Sequence, residues 1–226
     1  MKKVFSTVLV LTLAAVLLTG SAYADTFQVW YGTNVSGVPF DASPPSPAVP
    51  ATGAAMNYAT FNYTGPLSFD NTIPQGGSNT FQDFFGTNSS FISGFSGNNQ
   101  NETTFLGTTM STIGETGANL NAYIVITGPY NFGPSSGSFT ITHDDGVTMV
   151  LGSNTACISS ADPVAQTTDT CAGSGSGTFT LTYVESNGSP AVLEATIPNV
   201  PEPASLTLLG TGLLALGGFV RRRFLP

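Results

Sequence analysis

The chain has 226 residues and a formal net charge of −8, and its five Lys and Arg residues all lie close to one of the two ends. Residues 25–200 contain no Lys or Arg but hold every one of the 13 Asp and Glu residues except Glu202, which gives them a formal charge of −12. A segment without a fixed cation cannot neutralise phosphates, so nucleic acid is excluded as an ordinary partner. Acidic glycans and anionic membranes are poor partners too, unless a cation bridges the two surfaces.

Residues 1–24 have the layout of a secretory signal peptide. Two lysines precede an apolar run at residues 4–18, and small residues occupy the cleavage positions Ala22 and Ala24. The alternative is a first transmembrane helix, but the run is near the lower length limit for spanning a bilayer and the small residues follow it at once. We therefore expect cleavage before Asp25 and export of the mature chain to an oxidising compartment.

The C-terminal end predicts a single transmembrane helix. Residues 204–220 are apolar or small, and this run is just long enough to cross about 30 Å of hydrocarbon as a helix. Arg221, Arg222 and Arg223 follow it, and by the positive-inside rule they stay on the cytoplasmic side. A packed C-terminal helix is the alternative, but such a helix would show polar residues at helical spacing, and the glycines of this run make a weak helix in water.

The triplet Pro201-Glu202-Pro203 stands directly before this helix. A Pro-Glu-Pro triplet, a short apolar helix and a terminal arginine cluster, in this order and paired with a signal peptide, resemble the PEP-CTERM sorting signal. The resemblance implies that the chain is a substrate of exosortase, a membrane transpeptidase-like enzyme of bacteria that make extracellular polysaccharide. It assigns recognition to Pro201, Glu202 and Pro203, transient membrane anchoring to residues 204–220, and retention to the three arginines.

Residues 25–200 predict one all-β domain, between the signal peptide at residues 1–24 and the sorting segment at residues 201–226. The domain is rich in Gly, Thr, Ser, Asn and Phe and poor in strong helix formers. Short runs of alternating apolar and polar residues stand between turn clusters, which favours a β-sandwich or jelly roll. The predicted strands are residues 27–31, 58–64, 90–95, 104–110, 122–127, 138–143, 147–151, 178–184 and 191–197.

Cys157 and Cys171 are the only cysteines of the chain. In an exported protein such a pair most simply forms a disulfide, which here closes a loop of roughly 15 residues and contributes about 3 kcal/mol in the chain-entropy model. The residues between the two cysteines are polar and turn-prone, so we expect the bridge to hold a surface loop. A zinc site is a poor rival, because one His and two distant thiols do not make a zinc ligand set.

The candidate functional site is Asp144-Asp145-Gly146, which stands between two predicted strands. A three-residue loop with Gly146 in the left-handed conformation pairs Ile141 with Met149 and keeps the large apolar residues on one face, whereas a two-residue turn would divide them. This register predicts a β-hairpin with both aspartates at its tip and no cation nearby in sequence. The alternative is a solvated Asp-Gly turn that serves only strand geometry.

Residues 121–197 also resemble the protective-antigen-type domain, a β-sandwich that occurs in toxins, glycosidases and cell-surface adhesins. The matching pattern is an alternating strand, two adjacent aspartates and a glycine, a second strand, and a later aromatic strand with Tyr183 and Glu185. In the lectins of that family neighbouring aspartates bind calcium, and the calcium holds sugar hydroxyls. The resemblance implies that Asp144 and Asp145 bind Ca²⁺ at a weak site of roughly 10⁻⁴–10⁻³ M and that the loop contacts a neutral polysaccharide.

These observations predict an exported surface or extracellular-matrix protein, processed by exosortase, whose body is structural or contacts carbohydrate in the exopolysaccharide layer. They assign no catalytic residue and predict that the chain is not an enzyme. The alternative is a secreted hydrolase acting on polysaccharide, since a pair of suitably spaced carboxylates among the scattered acids would provide its chemistry.

Overall fold

β-Strands account for most of the residues that the computed structural model describes, which confirms the all-β class. The described residues are 24–31, 57–70, 79–98, 100–111, 122–159, 165–185 and 190–198, and they belong to one compact unit, Tyr23–Asn199. Among them no helix is long and apolar enough to cross a bilayer. The predicted signal peptide and the predicted transmembrane helix lie outside the described residues, apart from Ala24.

The described residues form eleven strands and three short helices. The strands are β1 Asp25–Tyr31, β2 Asn57–Tyr63, β3 Ser68–Asp70, β4 Asn79–Thr80, β5 Ile92–Gly97, β6 Thr109–Ser111, β7 Ala122–His143, β8 Val147–Leu151, β9 Asn154–Ser159, β10 Thr167–Glu185 and β11 Val192–Ala195. The helices are α1 Phe81–Phe85, a 3₁₀-helix at Gly86–Phe91, and α2 Glu102–Leu106.

Antiparallel pairing joins nine of these strands, in the order β5-β2-β1-β7-β10-β8-β9, with β11 linking β7 to β3. The remaining two strands, β4 and β6, pair with each other. Strand β7 is the centre of the arrangement, because it pairs with β1, β10 and β11.

The long strands β7 and β10 each have two halves. The first half of β7 pairs with the second half of β10, and residues 136–143 of β7 pair with residues 167–174 of β10. The register shifts between Ser174 and Ser176. Gly133 and Gly175 have φ angles of 69° and 70° at this shift, a conformation that costs glycine little and a residue with a Cβ much more.

The two halves contribute to opposite faces of one core. Strands β1 and β2 belong to the ladder of the first half of β7, whereas β3 and β11 belong to the ladder of its second half. Phe69 of β3 nevertheless packs against Phe27 of β1 and Tyr63 of β2, with ring centroids 6.0 Å and 5.4 Å apart. Side chains that meet in this way without a shared ladder give a β-sandwich-like architecture with an aromatic core.

The predicted strand at residues 104–110 is wrong in its first part, where the structure has helix α2. The side chain of Asn101 caps this helix by accepting a hydrogen bond of 2.9 Å from the backbone N–H of Thr104. Helix α1 was also not predicted, and it begins with a capping box of Thr80 and Asp83. These local polar contacts, together with burial of Phe105 against the core, outweigh the β propensity of the segment.

Candidate functional site

The loop Asp144-Asp145-Gly146 joins β7 to β8, but these two strands do not form the predicted hairpin. Strand β10 lies between them, so Ile141 pairs with Asp169 and Met149 pairs with Leu181. The predicted pairing of Ile141 with Met149 is therefore wrong. Strand β10 comes later in the chain and pairs with both β7 and β8. The alternation of apolar residues within β7 and β8 cannot show that a third strand pairs with both of them.

The loop is held by the strands on both sides of it. The backbone N–H of Asp144 donates a hydrogen bond of 3.0 Å to the carbonyl oxygen of Val192, and the N–H of Val184 donates one of 2.9 Å to the carbonyl oxygen of Gly146. The left-handed residue is Asp145, with φ at 67°, rather than Gly146 as predicted. Aspartate tolerates this conformation better than most residues with a Cβ do.

Asp145 is buried rather than displayed at a tip, with 2% of its surface exposed. Asp144 is partly exposed, and burial raises the pKa of its carboxyl to about 6. A hydrogen bond from the backbone of Gln166 and the charge of His143 act in the opposite direction on this pKa. The two aspartates thus occupy different environments, and Asp144 is the more exposed of the two.

His143 is fully buried beside this loop. Its Nε2 lies 3.0 Å from Oδ2 of Asp169 on β10, and its Nδ1 lies 2.5 Å from the backbone carbonyl oxygen of Asp145. The ring links the backbone of the loop to strand β10 through its two nitrogens.

Tyr183 and Glu185 of β10 form a second buried pair behind the loop. The Tyr183 hydroxyl donates a hydrogen bond to Oε2 of Glu185, and both side chains are fully buried. Burial, followed by the charges of Glu185, Asp145 and Asp144, raises the pKa of Tyr183 well above its usual range. Three carboxyl groups therefore act electrostatically on one phenol.

These contacts place acidic side chains and one histidine around the loop. Among the described residues no set of three His, Cys, Asp or Glu side chains is arranged to hold a metal ion. Asp144 and Asp145 could contribute at most two carboxylates to a cation, and its other ligands would be backbone oxygens, water or a bound hydroxyl compound.

Asp169 belongs to this site, although sequence analysis did not single it out. The strand pattern contained a signal that points to it. Cys171 faces the core, so the alternation of β10 places Asp169 on the same inward side, opposite Ile141 and diagonal to His143.

The disulfide between Cys157 and Cys171 is present, as predicted. Both cysteines are buried in the main core cluster, whereas the described residues 165–170 between them are exposed or partly exposed. Cys157 lies on β9, and Cys171 lies on the first half of β10 opposite Phe139. The disulfide therefore links β9, the last strand in the pairing order, to the first half of β10.

The predicted sorting residues Pro201, Glu202, Pro203, Arg221, Arg222 and Arg223 lie outside the described residues, as does the cleavage position Ala22. Ala24 is described and exposed, immediately before the first strand.

Comparison with known proteins identifies the C-terminal segment. Residues 199–223 match the PEP-CTERM protein-sorting motif, which confirms the prediction for the tail and implies export and recognition by exosortase. No curated protein matches the chain.

Two solved structures are similar to the chain. The PA14 domain of the MpAFP antifreeze protein is 19% identical over 75% of this chain and 79% of that chain, with a TM-score of 0.41. The PA14 sugar-binding domain of an RTX adhesin is 16% identical over 77% of this chain and 88% of that one, with a TM-score of 0.36.

Proposed function

We propose that this protein acts at the cell surface or in the exopolysaccharide layer, as a structural or carbohydrate-contacting β-sandwich released there after exosortase processes its tail. The sorting motif at residues 199–223 is the observation that carries the localisation. The absence of Lys and Arg from residues 25–200 suits a neutral polysaccharide better than an acidic one, because no fixed cation is available to pair with sugar carboxylates or sulfates.

Within this function we propose that Asp144 and Asp145 bind Ca²⁺. Calcium prefers oxygen ligands, and two adjacent carboxylates at a loop supply two of them. Burial without a neighbouring Lys or Arg makes ionisation of Asp144 unfavourable, which is why its pKa is raised to about 6. A bound divalent cation would stabilise the ionised carboxylate. With only two carboxylates in reach, we expect weak binding, with Kd in the range of about 10⁻⁴–10⁻³ M.

Calorimetry on the mature protein tests the calcium site. Addition of millimolar Ca²⁺ should release or absorb heat with a Kd in that range, and it should raise the melting temperature by a few degrees. Asp144→Asn is the sharp variant, because it removes the charge at the exposed carboxylate and keeps its shape. Asp83→Asn is the matched control at an acid remote in sequence, which caps helix α1. Absence of heat and of a melting shift in the unsubstituted protein would refute calcium binding.

Binding of polysaccharide separates the module from the hydrolase alternative. If the protein is a binding module, beads of neutral polysaccharide should retain the mature protein in Ca²⁺ and lose it in chelator. No new reducing ends should be released over time. Steady release of reducing ends would instead establish the hydrolase. Retention that is insensitive to chelator would support the carbohydrate contact and reject the role of calcium in it.

The mature C-terminus tests the sorting part of the proposal. Intact-mass measurement of protein recovered from the cell surface should show that the apolar segment at residues 204–220 has been removed. Glu202→Ala should leave the segment attached and the protein in the membrane fraction. Mature surface protein that keeps the residues beyond Pro203 would contradict processing by exosortase.

A further inference from the structure

The first residue of strand β1, Asp25, has a buried side chain at the edge of the described body. Only 6% of Asp25 is exposed, whereas Ala24 before it is exposed and outside the strand. The sequence predicts that the leader is cut between these two residues. The new N-terminus of the mature chain would then be the amino group of a buried aspartate.

The Asp25 carboxyl is closely packed on one side and borders a cavity on another. The carboxyl lies over the backbone of Gly128 in the neighbouring strand β7, where a Cβ would stand 1.8 Å from Oδ1 of Asp25. It borders a cavity of about 200 Å³, which is too small for an ordinary ligand site of roughly 300–1,000 Å³. The other residues that line the cavity are Gly65, Pro66, Leu67, Phe179, Ala195 and Ile197.

None of these residues offers Asp25 a positive charge. Burial raises the pKa of the carboxyl to about 7, and its charge in turn contributes to the raised pKa of Tyr63 on β2. Tyr63 is the titratable side chain that faces it from β2. Gly128 of β7 lies directly against it, Phe179 of β10 and Ala195 of β11 line the same cavity, and none of these three titrates. The Tyr63 hydroxyl already donates a hydrogen bond of 2.9 Å to the carbonyl oxygen of Pro66.

We propose that removal of the leader completes this site, because the α-ammonium group created on Asp25 pairs with the buried carboxylate of the same residue and stabilises the start of β1. Before cleavage, the nitrogen is a neutral amide. After cleavage, it carries a positive charge on the same Cα as the side chain, well within the roughly 4–6 Å over which an opposite charge favours an ionised carboxylate. Asp25 pairs with Tyr63 of β2 and lies against Gly128 of β7, just before the β1–β7 pairing begins at Thr26.

The sequence offers an unusually selective test. Once Lys2 and Lys3 leave with the signal peptide, the mature chain has no lysine, and its α-amino group is its single primary amine. Acetylation of the mature protein therefore removes this one charge, whereas reductive dimethylation of the same nitrogen keeps it. The two products form a matched pair that needs no substitution, and intact mass verifies that each carries one modified site.

Thermal unfolding of the two products as a function of pH gives the answer. Near pH 7 the acetylated protein should melt roughly 3–6 °C below the dimethylated one, the equivalent of about a tenfold loss in the folding constant. Near pH 4 the difference should vanish, because the carboxyl is then protonated in the folded protein. The Asp25→Asn protein should show no difference between its acetylated and dimethylated forms at either pH.

Equal melting temperatures of the acetylated and dimethylated proteins near pH 7 would overturn the proposal. A difference that persists in Asp25→Asn would also overturn it, since the ammonium would then act on another group. A mature N-terminus other than Asp25 would remove its basis. Calcium plays no part in these measurements, so their outcome is separate from that of the proposed Asp144–Asp145 site.

Discussion

Replacement of Gly128 by alanine tests the packing around the buried carboxyl directly. The added Cβ would lie 1.8 Å from Oδ1 of Asp25 and 2.8 Å from Cε1 of Phe179, and both contacts are far shorter than van der Waals distances. Gly128 is itself buried, and neighbouring strands confine it on both sides. The Asp25 side chain would therefore have to leave its position or the strands would have to separate.

The expected cost of Gly128→Ala is about 2 kcal/mol, the middle of the range of roughly 1–3 kcal/mol for overpacking in a well-packed interior. For a domain of this size that corresponds to a melting temperature lower by roughly 4–8 °C. Gly107→Ala is the matched control, because its Cβ would approach nothing closer than 3.6 Å. We expect the control to change stability by less than about 0.5 kcal/mol.

A double-mutant cycle with Asp25→Ala identifies the clash. If the Asp25 carboxyl causes most of the cost, Gly128→Ala should be at least 1 kcal/mol less damaging in the Asp25→Ala background, by analogy with coupling energies of about 0.5–3 kcal/mol for residues in contact. Chemical denaturation of the four proteins supplies the free energies of unfolding. Additive effects, or a Gly128→Ala protein as stable as the Gly107→Ala control, would refute the close approach of Asp25 to β7.

Two further predictions concern the disulfide and the buried tyrosines. Replacing Cys157 and Cys171 together by alanine should lower the free energy of unfolding by about 3 kcal/mol. Denaturant titration without reductant measures this change, and an unchanged unfolding midpoint would contradict stabilisation by the disulfide. Burial raises the pKa of Tyr31 to about 12 and also raises those of Tyr63 and Tyr183, so the folded state keeps protons that the unfolded state loses near pH 10. Stability should therefore fall as pH rises above about 10. Phenolate absorbance should show that these three tyrosines ionise only when the protein unfolds. Normal titration of all tyrosines in the folded protein would contradict this burial.

Strands with a regular alternation of apolar and polar residues were predicted from the sequence. A strand whose middle is rich in Gly, Ser and Pro was predicted as two separate strands. Strands β1, β2 and β8 lie where the pattern placed them. Strand β7 was predicted as two separate pieces, residues 122–127 and 138–143. It is continuous because β10 pairs along nearly its whole length, a contact between distant residues that local propensity does not contain.

The sequence predicted correctly that Asp144-Asp145-Gly146 connects two strands, but it did not predict the environment of this loop. Asp145 was expected at a hairpin tip and is buried, in a loop whose backbone is hydrogen-bonded to Val192 and to Val184 of β10. Asp169, which contacts the His143 ring, comes from a strand whose first half was not predicted. Contacts of this kind depend on tertiary topology, so only a signal such as the inward position of Cys171 could have suggested them.

The order of strand pairing constrains how the protein can fold while it is exported. Strand β1 leaves the membrane first, yet its interior position needs Thr127 of β7 beside Thr26. Strand β3 has to wait longer, since Phe69 pairs with Leu193 near the end of the body. Such non-local pairings form slowly, because loop closure has to precede them. Strands β1, β2 and β5 can pair with one another early, whereas β3 must wait for β11 until almost the whole body is available. Completion of the sandwich is therefore a late event.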